Sequence, residues 1–547
     1  MESPSAMEPL IAALLRPSAY DHPVEQISLL QTHISWILLT GSYAYKIKKP
    51  VDLGFLDFST LAKRRHFCRE ELRLNRRLAP QLYLGLSSIR GPAAQASFAG
   101  VGAEIEVAVR MRQFRQEDLL PALLKRGLPQ SRLLALVDQL AEHLACFHAA
   151  AAIAPTDSSF GTTPRVLQPA LANLAALERI LGSDRRLPPL YQWCRSEAER
   201  LQERFEQRRR DGRVREGHGD LHLGNLVLHE GQIVVFDCLE FSDALRWIDV
   251  SSDLAFLAMD LRRHRQSLLA AALLNRWLDH SGDYGSLATW RWYLAYRALV
   301  RAKVTAMRLE QLGSDAPQAD LQRGWIDLQA YLHLAGSLQR WSRPVLLITH
   351  GVSGSGKSHQ ARLLAQALGW LHLRSDVERL RLFGRWGEAI GPLLQGDAYA
   401  PAVSERLYRQ RLSDCCGEAL AAGLSLICDA TFLMAWQRRH FRELAERHGA
   451  RFAILSCSCT AETALRRMAS RLQAGGDPSE ADAAVLEHQL VAMEPLTPEE
   501  RRLSLLVPSG VGSADPGQPS TAAPGSSTDL PADSPHPDLL RQLRQLI

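Results

Sequence analysis

The chain has 547 residues, 46% of them hydrophobic and 22% charged, and a formal net charge of +5. That length exceeds one ordinary core and implies three or four folding units, while so small a net charge gives no ground to infer nucleic-acid or membrane binding from charge alone. No apolar run approaches the roughly 20 residues that span a bilayer, the N-terminus lacks a basic stretch followed by an apolar one, and nine scattered cysteines form no CxxC pair or metal-ligand spacing, so reduced thiols and a cytoplasmic location are expected.

Residues 29–50, "LLQTHISWILLTGSYAYKIKKP", predict two strands joined by a turn at Thr40-Gly41-Ser42. Residues 59–79 predict a helix capped by Ser59, with Leu61, Phe67, Leu74 and Leu78 on one face. "LYLGLSSIRG" and "AEIEVAVRMRQF" read as two further strands, and 131–210 as mostly helical. "HGDLHLGNLVLHEGQIVVFDCLEF" then reads as a loop, a strand, a turn at Glu230-Gly231 and a strand, with helices over about 249–339. The polar break "QRWSRP" precedes the apolar "VLLITH", which places a domain boundary near Trp341 and divides the chain into 1–340 and 341–507. Beyond it strands such as "SLICDA" and "RFAILSCS" alternate with helices, as an α/β domain with a parallel sheet requires. Residues 508–536 are rich in Pro, Gly, Ser, Ala and Asp and are expected to be disordered. "DLLRQLRQLI" after them reads as a short terminal helix, and removal of 510–547 is expected to cost little stability.

Phosphoryl transfer needs a cation on the nucleotide phosphates, an acid that fixes the cation, an acid that orients the attacking hydroxyl, and oxygen ligands for magnesium. In "HGDLHLGN", Asp220 is the candidate acceptor of the hydroxyl proton and Asn225 a candidate Mg²⁺ ligand, at the Asp-to-Asn step of kinase catalytic loops. Asp237, ending "QIVVFD", is the candidate second ligand. Lys46 and Lys48 share one strand face, and Glu70 and Glu71 follow on the helix. Lys46 with Glu71 is the preferred ion pair, with Lys48 and Glu70 left open. His218 is read as structuring its loop, and His222 and His229 receive no role.

These residues resemble the aminoglycoside phosphotransferase and choline kinase group, in which the loop reads HGDxxxxN. "RWIDVSSDLAFL" resembles the group's GDPxxDLA segment, with Asp249 and Asp253 at its acidic positions. More closely, "YAYKIKKPVDLGFLDFSTLAKRRHFCREELRLNRRLAPQLYLG" resembles the N-terminal half of bifunctional aminoglycoside phosphotransferase/ATP-binding proteins. The resemblance covers about residues 20–335 and implies an α+β, protein-kinase-like bilobal domain. One departure stands out: no GxGxxG loop precedes Lys46, and only Gly41 sits in the turn, so the phosphate lid is undefined.

"VLLITHGVSGSGKS" followed by "HQARLLAQALG" is a strand, a glycine-rich loop and a helix, the full context of a P-loop. Backbone N–H groups over Gly351, Gly354, Ser355 and Gly356 would wrap a phosphate at a helix N-terminus. Lys357 would reach the β- and γ-phosphates, and the Ser358 hydroxyl would ligate Mg²⁺. Asp429, ending "SLICD", is a second candidate Mg²⁺ ligand. This half is similar over about 344–500 to P-loop small-molecule kinases of the gluconate kinase and adenylate kinase type, and to the kinase domains of polynucleotide kinases and zeta toxins. That likeness implies an acceptor region at Arg374, Ser375, Asp376 and Arg379, with Asp376 orienting a hydroxyl. It also implies an arginine lid at Arg466, Arg467 and Arg471 before a Gly475-Gly476 turn, with Arg467 and Arg471 closing on the phosphates. The expected whole is a two-domain phosphotransferase with ATP and Mg²⁺ in each half, acting on small hydroxylated acceptors. The alternatives are a regulatory nucleotide-binding protein and, disfavoured by the lack of interleaved aromatics over 344–500, a nucleic-acid end kinase.

Overall fold

The computed structural model describes residues 7–54, 56–313, 316–389, 391–474, 478–507 and 537–546. They fall into two compact units, 1–166 with 205–260, and 167–204 with 261–547. Both the predicted disordered stretch 508–536 and the Gly475-Gly476 turn lie outside the described residues.

The first unit is built on an antiparallel sheet of β1 (Ser28–Gln31), β2 (Ser35–Leu39), β3 (Tyr43–Lys48), β4 (Tyr83–Arg90) and β5 (Glu104–Arg112), in the order β1-β2-β3-β5-β4. The two strands expected over 29–50 are three. Thr32 breaks the first run by forming a tight turn, its N–H donating to Ser35 O at 2.9 Å and its hydroxyl accepting from Ser35 N at 3.0 Å. The predicted helix is Leu61–Asn75, and Thr60, not Ser59, caps it by accepting from Lys63 N at 3.3 Å. Ser59 instead donates its own N–H and hydroxyl to Asp57. Further along the chain, β6 (Val214–Glu216) pairs with β9 (Trp247–Asp249), and β7 (Leu226–His229) with β8 (Gln232–Val235) form the predicted hairpin. β6 and β9 have three residues each, too few to leave a period in the sequence. Val227 and Val234 of the hairpin pack with Cys68, Tyr83, Val107 and Val109, so one core fastens the hairpin to the sheet and the helix.

The second unit carries a five-stranded parallel sheet of β10 (Val345–His350), β11 (Leu371–Arg374), β12 (Leu426–Asp429), β13 (Arg451–Ser456) and β14 (Ser504–Leu506), in the order β11-β12-β10-β13-β14. β10 is central and buried throughout, as an apolar run in a doubly covered parallel sheet should be. Helix Ser267–Ser281 packs beside β11. Asn275 closes that edge, donating to Trp370 O at 2.9 Å and accepting from His372 N at 2.8 Å.

The terminal helix is present as Pro537–Leu546, but it is docked. Leu539 and Leu543 are buried among Leu347, Leu364, Leu455 and Leu505, on the same face as helix Lys357–Leu368. The expectation that its removal is harmless is therefore reversed. The leucines recur at helical spacing on one face, and that face has found a core.

Candidate active sites

In the first unit the β3 register sets the charges. Lys46 and Lys48 are two residues apart and reach the same buried carboxylate from one face of the sheet. Lys46 Nζ lies 2.8 Å from Glu71 Oε1 and 2.5 Å from Asp237 Oδ1. Lys48 Nζ lies 2.7 Å from Glu71 Oε2 and also pairs with Glu240. Glu70 turns elsewhere and pairs with Arg73. Burial alone would raise the Glu71 carboxyl, but the two ammonium groups hold it well below the usual carboxylate range. Burial likewise disfavours the Lys46 cation, and Asp237 and Glu71 reverse that and keep it charged. Lys48 is fully buried, whereas Lys46 stands in the wall of a cavity of about 250 Å³. Asn225 and Asp237 line the same cavity, with Ile37, Leu39 and Met111 as apolar wall.

Asp237 follows the end of β8 with φ of +64°, a left-handed conformation that side chains other than glycine seldom adopt. The surroundings hold it there: Asp237 N donates to the Tyr83 hydroxyl at 3.2 Å and Cys238 N to Asn75 Oδ1 at 2.8 Å. The catalytic-loop candidate is fastened from the other side. Asp253 accepts from His218 N at 2.6 Å and from Gly219 N at 3.0 Å, and His218 Nε2 meets Phe236 O at 2.9 Å. A side chain at Gly217 would put its Cβ 2.7 Å from the Asp253 carboxylate, so this clamp needs glycine. Asp249 pairs with Arg208 Nη2 at 2.8 Å and caps Ser251 N. Asn225 Nδ2 donates to Asp220 O at 3.0 Å, and His222 Nε2 lies 3.4 Å from the half-exposed Asp220 carboxylate. Glu240 escaped the sequence reading. The signal for it was Lys48, a second strand lysine on the same face with no assigned counterion.

In the second unit the P-loop leaves β10 at Gly351 and enters helix Lys357–Leu368 through Gly356, whose φ is +94°. Gly351 and Gly354 are required by packing as well: an added Cβ would lie 2.2 Å from Cys457 O and 2.6 Å from Ala464 O. Lys357 Nζ donates to Val352 O at 2.7 Å, and burial lowers its pKa below the ordinary lysine value. The Ser355 hydroxyl is buried with no hydrogen-bond partner among the described residues, as a group awaiting a ligand would be. Lys357, Ser358, Asp376, Asp429, Arg467 and Arg471 line one cavity of about 830 Å³. Arg374, Ser375 and Arg379 also face it, and Arg466 is exposed outside it. Burial acts to raise the Asp429 carboxyl, but His372, whose Nε2 lies 3.1 Å away, and Lys357 outweigh it and hold it low. Arg467 Nη1 reaches Gly354 O at 3.5 Å. Sequence reasoning missed His372 and Gln489, the latter accepting from Ser353 N at 2.7 Å.

An antiparallel sheet whose lysine meets a helix glutamate and a post-hairpin aspartate defines a protein-kinase-like phosphotransferase domain. A parallel sheet with a glycine-rich loop after its central strand defines a P-loop kinase-like domain. Residues 60–296 match the family described as "Phosphotransferase enzyme family", and 346–496 the family described as "AAA domain". Uncharacterized protein Rv2004c of Mycobacterium tuberculosis is 32% identical over 476 residues, covering 85% of this chain and 91% of that protein. Among solved structures, a gluconokinase from Sinorhizobium meliloti 1021 is 24% identical, covers 31% of this chain and 85% of its own, and has a TM-score of 0.22. Choline kinase from Cryptosporidium parvum Iowa II is 10% identical, covers 61% and 96%, and has a TM-score of 0.37. The chain belongs to the bifunctional aminoglycoside phosphotransferase/ATP-binding protein family, with Rv2004c as a relative over most of both chains.

Proposed function

We propose that the chain is an ATP-dependent phosphotransferase with two separate sites, each passing a phosphoryl group to a hydroxyl of a small molecule. One observation carries this reading: in each unit a lysine and an oxygen-ligand pair share one cavity wall. In the first these are Lys46 with Asn225 and Asp237, and in the second Lys357 with Ser358 and Asp429. Two oxygen ligands per site fit magnesium, which is commonly held by one or two carboxylates together with substrate phosphates. Bound there, it would neutralise charge on the phosphates. Asp220 and Asp376 are the acids that orient the acceptor hydroxyl. Lys46 leaves Asp237 for the phosphates while Glu71 keeps it aimed. Arg467 and Arg471 close on the phosphates of the second site. Arg379 is buried with its Nε unpartnered among the described residues and faces the second cavity, which favours an acceptor that also carries an anionic group.

The test is ATP turnover by wild type, Asp220→Ala and Lys357→Ala with a pooled metabolite extract, followed by mass spectrometry for products gaining one phosphate. Each variant is expected to lose its own set of products and retain the other. Loss of both sets in either single variant refutes two independent sites. Nucleotide binding without any phosphorylated product would instead favour a regulatory protein.

A further inference from the structure

Helix Ala483–Ala492 lies against the P-loop and belongs to none of the motifs that mark the second site. Its placement is fixed. Leu486 is buried with Val352, Leu433, Ala464 and Met468, Asp482 caps its start by accepting from Val485 N at 2.9 Å, and Glu494 N donates to Leu433 O at 3.0 Å just beyond its end. From this helix Gln489 reaches back so that its Oε1 accepts from the Ser353 N–H at 2.7 Å. Ser353 and Gln489 both line the cavity.

The donor is a backbone N–H, so only the carbonyl oxygen of the amide can meet it, and that settles which way the group is turned. A planar amide held by its oxygen has its NH₂ directed away from that contact. Among the described residues the amide nitrogen has no protein hydrogen-bond partner. The NH₂ of this cavity-lining residue thus keeps two donors that the Ser353 contact does not use. Their place along the loop matters. In a nucleotide-bound P-loop the inner phosphates would sit at the helix N-terminus, here around Gly356 and Lys357. Ser353 lies at the opposite, strand-side start of the loop, where the outer end of a triphosphate would come.

We propose that Gln489 is a positioning residue for the terminal phosphate at the second site: its carbonyl stays docked on Ser353 N–H and its NH₂ donates to an oxygen of the γ-phosphoryl group. The inference rests on the reading of this cavity as a nucleotide site. It makes Gln489 a sensor of ATP against ADP, because only ATP offers the acceptor. The carbonyl contact to Ser353 N–H holds the side chain in one orientation, so little ordering entropy is lost when the second hydrogen bond forms.

The experiment is isothermal titration of the full-length chain with ATP and with ADP in the presence of magnesium, the second site being the component that Lys357→Ala abolishes. Gln489→Ala is expected to weaken ATP about tenfold and leave ADP within about twofold, the size of one hydrogen bond to a charged group. Gln489→Glu keeps an oxygen for Ser353 but has no NH₂ and adds negative charge, so it should discriminate against ATP at least as strongly. Equal weakening of ATP and ADP, or full ATP affinity in Gln489→Glu, overturns the proposal and leaves Gln489 a structural cap. A wild-type chain with no Lys357-dependent nucleotide binding overturns the nucleotide reading of the cavity, and this inference with it.

Discussion

Glu71 serves two lysines, and the two do different things. Lys46 borders a cavity and can exchange Asp237 for another anion. Lys48 is sealed between Glu71 and Glu240, with the Phe58 ring 4.9 Å from its ammonium. A buried pair gains little over an apolar replacement, but removing one partner strands a charge at a cost of about 3–5 kcal/mol. Here the stranded group would be one of two carboxylates, Glu71 and Glu240, that already disfavour each other: burial raises the Glu240 carboxyl, and Glu71 adds to it. Lys48→Met is therefore expected to destabilise the first unit by about 3 kcal/mol or more. Lys48→Met combined with Glu240→Gln should be clearly more stable than the sum of the single changes predicts. Urea unfolding of the four proteins measures the coupling, and strict additivity would mean that the pair does not act as one.

At the scale of elements, the helix Pro537–Leu546 shows what a local pattern conceals. Leu539 and Leu543 are buried in the core of the parallel sheet, and Gln542 Oε1 accepts from Leu506 N at 3.2 Å, holding β14 at the sheet edge. Leu543→Ala is expected to cost about 2 kcal/mol, the lower end for a buried leucine because a terminal helix can undock rather than leave a cavity. Thermal melts of Leu543→Ala and of a chain ending at 536 should both fall, and an unchanged melt in both would mean that the docking contributes nothing. The sequence marks this helix by its leucine spacing but says nothing of a receiving face more than thirty residues away, because packing between distant segments leaves no local period. The P-loop is the opposite case. Its glycines, its strand and its helix are contiguous, so the whole device is legible in one stretch. Lys46 and Asp237 fall between these cases: the residue types and strand ends are readable, but the partners are 191 positions apart, and the choice between Lys46 and Lys48 turns on burial that only the folded sheet decides. Gln489 carries no signal beyond being a polar residue on a helix.

At the scale of the whole molecule, the polar break near Trp341 does not mark the edge of the second compact unit, which begins again at Leu261. The reason lies in helix Ser267–Ser281 and the turn after it. Asn275 makes two hydrogen bonds to the backbone around β11. Arg381, almost wholly buried, donates to His280 O and Asp279 O. Trp386 Nε1 donates to Asp279 O at 2.9 Å, and Arg411 Nη2 to Gly282 O at 2.9 Å. At about 1 kcal/mol each, these six bonds sum to about 6 kcal/mol, comparable with the about 5–15 kcal/mol that separates a folded domain from its unfolded chain. The same segment braces the acceptor side of the second cavity, because Arg381 and Arg411 both pair with Glu378 on the helix that carries Asp376 and Arg379. A fragment of residues 341–547 is therefore expected to melt broadly and at lower temperature than one of 261–547, and to bind nucleotide more weakly. Calorimetry and nucleotide titration on the two fragments decide it. Equal, cooperative melting with equal affinity would show that the P-loop sheet stands without the helices before it. A deficit confined to the shorter fragment would show that residues matched to the phosphotransferase family have become part of the second fold.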